Sequence, residues 1–202
     1  MALRGRPRSF DREDALDRVM KVFWEKGYEC AQINDFTAAI GITPPSFYAA
    51  FGSKEQAFRE AVDHYTATIG GAPLVALDKA ETIQQGIRAM LETHADKTYA
   101  CSAGGCMVSV SSIQCKPENK QVKEFLKTIR QTAFERIFAR CERALKDGDL
   151  PEGTDLTQMA EFYHAMLQSL SYEARDGGSR ESVQSIIEMA MRAMPERVTV
   201  PA

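Results

Sequence analysis

At 202 residues the chain can hold one ordinary domain, or a small domain joined to a larger one, and can bury a sizeable core. Its 44% hydrophobic and 26% charged residues are globular proportions, and no window approaches the ~18–20 apolar residues of a membrane span, so no membrane partner is expected. A formal net charge of −3 excludes a protein that is basic throughout. The five cysteines include no CxxC pair, which excludes a zinc ribbon; their odd number and the lack of an apolar signal core argue against a disulfide framework and for a cytoplasmic location.

Charge is unevenly placed. Residues 1–12 carry Arg4, Arg6, Arg8 and Arg12 against Asp11 alone. Residues 1–10 therefore read as a basic flexible arm on an acidic body, suited to phosphates or a narrow minor groove. The string Arg-Gly-Arg-Pro-Arg resembles the Gly-Arg-Pro core of AT-hooks, in which proline holds the strand extended.

A first helix starts at Asp11 or Arg12. Ala15, Leu16, Val19, Met20, Phe23 and Trp24 recur at helical spacing, and Gly27 is its stop. Ile33 to Ile40 suggests a short second helix ended by Gly41. Thr43 is an N-cap with Pro44 at the first helical position, and Ser46 to Phe51 completes a third helix. Ser53 caps a fourth, with Phe58, Ala61, Val62, Tyr65 and Ile69 on one face, before Gly70, Gly71 and Pro73 break the pattern. Ile83 to His94 marks a fifth helix. Ala103 to Gln114 reads as helical after the Gly104-Gly105 pair, and Glu118 to Lys146 as one long helix. The last two helices carry the stripes Leu156–Ala174 and Val183–Met194, the latter capped by Ser179. The expected fold is all-α: a three-helix helix-turn-helix head over residues 11–56 and a C-terminal helical bundle over 57–195, about nine helices in all.

A short helix, a Gly turn and a helix with small outward side chains can enter a DNA major groove. Thr43 stands at a helix N-terminus, which favours phosphate or a base acceptor. Ser46, Ala49 and Ala50 let the backbone approach base edges, where Ala methyls can meet a thymine methyl. Phe47 and Phe51 turn inward. Tyr48 can give its hydroxyl to a phosphate. Lys54 opposes the dipole of the fourth helix, which makes sense beside a phosphate.

Residues 27–55 and the helix plan resemble the tetracycline-repressor (TetR) family of bacterial regulators. The matching strings are Gly-Tyr-Glu at 27–29, Phe-Thr-Ala-Ala-Ile-Gly-Ile-Thr at 36–43, Ser-Phe-Tyr-Ala-Ala-Phe at 46–51 and Ser-Lys-Glu at 53–55. The resemblance implies phosphate contacts by Tyr48 and Lys54, and base contacts by Thr43, Pro44, Ser46, Ala49 and Ala50. It departs from the family at Cys30-Ala31-Gln32, where Ser or Thr commonly precedes the second helix and Gln32 is the replacement. The Pro44-Pro45 pair also removes two N–H donors from the third helix.

The resemblance further implies a pocket for an unknown small-molecule effector in the C-terminal bundle, with Met90, His94, Cys106, Met107, Phe125, Phe134, Phe162 and Met166 as candidate lining. It implies a homodimer on palindromic double-stranded operator DNA. The last two helices have wide apolar faces that can pack on the body alone or pair with a twin; the DNA-binding motif favours the pairing, with Ile187 and Met191 in the expected interface. Gly105-Cys106-Met107-Val108 resembles a segment of one branch of the family in which some members sense electrophiles or oxidants. A sensing Cys106 would sit at a helix start, whereas the alternative is a packed cysteine. The spacing of Cys101, Cys106, Cys115 and His94 matches no known metal site, and no cofactor or metal is expected. The expected function is a transcriptional regulator, a repressor released by ligand or by Cys106 modification. A cysteine enzyme with a histidine base is the competing class, and His64, His94 and His164 lie in no catalytic signature.

Overall fold

The computed structural model describes residues 11–99, 104–111 and 115–195. Within them every regular element is helical, ten α-helices with one π and one 3₁₀ turn. Helix α1 (Arg12–Cys30) starts where the Asp11 carboxylate accepts the N–H groups of Glu13 and Asp14, at 2.8 and 3.1 Å. Gly27 takes φ +70 and breaks the helix, as its position suggested, but one more turn, ending at Cys30, follows the break. Helices α2 (Ile33–Ile40) and α3 (Pro44–Phe51) are joined through left-handed Gly41. Ser53 caps α4 (Lys54–Tyr65) by accepting from Gln56 N–H, and a π turn, Thr66–Gly70, prolongs it.

Helix α5 (Ala72–Lys79) was not expected. The Gly70-Gly71 break is followed by Pro73 in the first turn of a new helix, where its missing N–H costs nothing. Helix α6 is Ile83–Tyr99. Gly86 lets α5 close on it, since a Cβ there would stand 2.9 Å from the Leu77 carbonyl. Helix α7 is the single turn Met107–Val110, shorter than the expected helix from Ala103 to Gln114, part of which lies outside the described residues. A 3₁₀ turn at Pro117–Asn119 leads into α8 (Lys120–Lys146). Asp155 and Ser179 cap α9 (Leu156–Arg175) and α10 (Arg180–Arg192).

Two apolar cores result. One joins Val19, Met20, Phe23 and Trp24 of α1 to Phe36, Phe47, Phe51 and Phe58, and continues into Met107 and Val108 of α7 and Val122 and Leu126 of α8. The α4 residues Ala57, Phe58, Ala61, Val62 and Tyr65, expected in the C-terminal part, pack in this head core. The other core is built from α5, α6, α8, α9 and α10 around Leu77, Ile87, Met90, Ile137 and Tyr163.

Polar contacts stitch the two halves together. The Trp24 indole N–H donates to the Gly105 carbonyl at 3.0 Å. Arg175, at the end of α9, donates to the carbonyls of Glu25 at 2.8 Å and Trp24 at 3.1 Å, filling acceptors that the Gly27 break leaves open. Gly104 and Gly105 have φ of +65 and +69, and a Cβ on them would lie 2.7 and 2.6 Å from the carbonyls of Ala174 and Ser171. Only glycine lets this segment lie against α9 in that conformation.

His94 of α6 bonds Ser171 of α9, Nε2 to Oγ, at 2.8 Å. It is buried, and burial pushes its pKa down to about 4. Between about 6.5 and 4 the unfolded chain binds this proton and the native chain does not. Stability from this group is therefore complete above about 6.5 and falls as pH drops, by about 3 kcal/mol in all. Denaturant unfolding of His94→Gln should show a shallower loss of stability from pH 7 to 4 than the unaltered protein; identical pH profiles would contradict a neutral His94. Gly105→Ala should cost ~2 kcal/mol or more and lower Tm by about 4–8 °C, read by calorimetry.

Candidate DNA interface and interior cavity

The turn between α2 and α3 is fixed by backbone: the N–H groups of Gly41 and Ile42 both donate to Thr37 O, at 2.8 and 3.1 Å. Arg18 of α1 adds a bond to Ala39 O at 3.1 Å near the end of α2. Phe47 stacks on Phe36 at 5.3 Å between centroids and lies 5.2 Å from Phe51, so one face of α3 is held in the core. Thr43, Pro44, Pro45, Ser46, Tyr48 and Ala49 are left exposed and Ala50 half-buried; Tyr48 is 48% exposed. The expected base-facing residues thus share an open surface made of small groups, two proline rings and one phenol.

Three expected contacts look different in place. Thr43 holds the N-cap position of α3, but its hydroxyl meets Ser46 Oγ at 3.1 Å instead of a backbone N–H. Pro45, at the second helical position, has no N–H to offer it. Gln32 is exposed ahead of α2; its backbone N–H donates to the Asp35 carboxylate at 2.8 Å, and Lys26 holds the other oxygen at 2.5 Å. Lys54 is half-buried. Its ammonium stands 3.4 Å from the Glu29 carbonyl and 4.7 Å from the centre of the Tyr28 ring, and burial lowers its pKa. A lysine in the first turn of α4 thus has an internal partner: the turn that follows the Gly27 break presents its carbonyl there. The carboxylate of Glu29 is held in turn by Lys116 N–H and the Asn119 amide, both at 2.8 Å. Arg4, Arg6 and Arg8 lie outside the described residues.

A half-open cavity of about 240 Å³ lies where α4, its π turn and helices α5 to α9 converge, with Tyr65, Leu74, His94, Cys106, Arg130 and His164 in its wall. Of the lining expected from sequence, His94 and Cys106 reach it. Met90 and Met107 are fully buried core. Phe125 lies under the Arg59 guanidinium, and Phe134 packs with Phe138 and the His164 ring. Phe162 and Met166 face outward on α9, beside Ile186 and Met189 of α10. Those Met and aromatic side chains recur at helical spacing because they pack helices together, and periodicity alone does not separate that duty from lining a cavity.

Arg130 and His164 were missed. Both carried a signal: Arg130 shares a helical face with Ala133 and Ile137, and His164 with Leu167 and Ser171, so a polar group stands on each inward stripe. Cys106 occupies the N-cap position of α7, but a helix of one turn supplies little of the dipole expected to favour its thiolate. Cys30 is exposed, Cys115 half-buried, and Cys141 fully buried with its thiol pushed up to about 11. Cys101 lies outside the described residues. Among the described residues no helix is long and apolar enough to cross a membrane.

Comparison with known proteins agrees with this geometry. The family model for bacterial regulatory proteins of the tetR family matches residues 15–61, which span α2 and α3. The transcriptional repressor ComR of Escherichia coli (strain K12) is 32% identical, over 96% of this chain and 94% of its own length. The repressor BdcR of the same organism is 26% identical, over 94% and 92%. Among solved structures, a cysteine-substituted TetR family regulator CifR complexed with 26-bp double-strand operator DNA is 38% identical; the match covers 94% of this chain and 100% of that one, with a TM-score of 0.90. With a relative 32% identical along nearly its whole length and the family model seated on its helix-turn-helix, the chain belongs to the TetR family of DNA-binding transcriptional regulators.

Proposed function

We propose that the protein is a homodimeric repressor that holds a palindromic operator through α3 and is released when a small molecule enters the interior cavity. One observation carries this reading. Helix α4 touches both places: Gly52-Ser53 alone separates it from α3, while Tyr65 and the π turn at its other end line the cavity. A ligand that displaces Tyr65 therefore works on the same rigid element that seats α3. The operator-bound state of CifR supports the DNA half of this proposal.

A second reading has its own support. Cys106 lines the cavity and is half-buried, so an oxidant or electrophile entering there meets its thiol. A cysteine enzyme is disfavoured: His94 is committed to Ser171, and ComR and BdcR are regulators.

The dimer would form through the outer faces of α9 and α10. Ile187 and Met191, expected there from the stripe, lie buried in the chain's own core, because the α10 face that carries them packs inward. Phe162, Met166, Ile186 and Met189 make the outward face, and Met189 is 61% exposed. An apolar patch of this kind is costly in water unless covered.

Operator selection from random duplexes, followed by anisotropy titration, tests the DNA half. Tyr48→Phe should weaken binding alike on all duplexes. Lys54→Ala should lower the salt slope by about one. An unchanged slope with a lowered Tm would instead confine Lys54 to holding the Glu29 turn. For the assembly, Met189→Glu combined with Phe162→Glu should give folded monomers in sedimentation velocity; a variant still dimeric would move the interface elsewhere.

A further inference from the structure

Among the described residues, the cavity holds a cation with no counter-charge. Arg130 of α8 lies in its wall, and among the described residues its guanidinium makes one hydrogen bond, from Nη1 to the Val108 carbonyl at 3.3 Å. No aspartate or glutamate is among the residues that line the cavity, and no carboxylate within ion-pair distance of Arg130 exists among the described residues. The contrast with Arg136, one turn and a half along α8, is direct: that guanidinium also reaches the cavity wall but is paired to Asp78. A guanidinium has five donors and a charge that lose water as it is buried, and a carboxylate is the partner that best restores both. Burial lowers the pKa of Arg130, against smaller opposing contributions from Tyr172, Cys106 and Cys115.

We propose that Arg130 is the anchor for an anionic effector, a small organic carboxylate with a compact apolar body. The inference rests on the reading of the cavity as the effector site and names the chemistry that the site selects. A carboxylate would accept two parallel bonds from the guanidinium, which a neutral amide cannot match. The apolar body would lie against Leu74, Ile129 and Ala133 on the remaining wall. His164 shares the wall: its ring is hydrogen-bonded to the Arg130 backbone, and burial and the Arg130 charge both lower its pKa, which favours the neutral ring and no second positive charge. A volume of about 240 Å³ is below the range of most drug-sized pockets, which limits the ligand to a short chain or one ring.

The test is calorimetric titration of the full-length protein with hexanoate, benzoate and phenylacetate, each beside its primary amide. At least one acid should bind, about tenfold or more tighter than its amide. Arg130→Gln should remove that preference, and Arg130→Lys should keep part of it. The acid–amide comparison on the unaltered protein needs no variant, so it decides even if Arg130→Gln fails to fold. Equal affinity for acid and amide, an undiminished preference in folded Arg130→Gln, or no binding by any of the acids would overturn the proposal. Ala133→Phe, which fills the cavity, separates the two levels of the argument. Loss of both acid and amide binding in that variant, with Arg130→Gln unaffected, removes the anionic anchor but keeps the effector site. Binding that survives Ala133→Phe removes both.

Discussion

The closing of α9 against the broken end of α1 is the constraint on which the arrangement depends. Gly27 ends the regular part of α1 and leaves carbonyls without intrahelical donors. Arg175 fills two of them from α9, and Trp24 reaches the opposite way to the Gly105 carbonyl. The bond to the part-buried Trp24 carbonyl contributes on the order of 2 kcal/mol, and the one to the exposed Glu25 carbonyl less, since water can replace its donor. The contact works only because Gly104 and Gly105 bring the chain within touching distance of the α9 backbone. A reading head, a cavity-lining cysteine and the end of α9 are thereby placed within one hydrogen-bonded group.

What the sequence disclosed was local chemistry. The helix start at Asp11 or Arg12, the caps at Ser53 and Ser179, the turn at Gly41 and the inward Phe47 and Phe51 depend on neighbours within a few residues, and the structure shows each of them. The open face of α3 follows from the same two phenylalanines, because fixing one side of a short helix exposes the other. Thr43 is instructive in the opposite direction: its type was right for a cap, yet Pro45 offers no N–H at the second helical position and the hydroxyl meets Ser46 Oγ instead of a backbone donor.

What stayed hidden was set by residues far apart in the chain. Helix α5 has little periodic signal of its own and is held by Gly86 and by Arg140, whose guanidinium meets the carbonyls of Ala80 and Glu81. The internal partner of Lys54, the Glu29 carbonyl, is created only by the Gly27 break. The cavity was sought among large apolar side chains, which fill space; it is found where small residues and glycines leave space, between Gly70, Gly71, Ser109, Thr132 and Ala133. Arg130 and His164 stand out only once that space is seen.

The head core does not stop at the head. Met107, Val108, Val122 and Leu126 supply part of the apolar packing around Phe23 and Phe58, though they belong to α7 and α8. A fragment cut after α4 would expose that surface and lose the packing partners of its own aromatic residues. The reading unit is therefore not a detachable module. Exchange of heads between relatives, by recombination or by design, would have to carry the matching faces of α7 and α8 with it, and substitutions on α1 and on α8 would be inherited as compensating pairs.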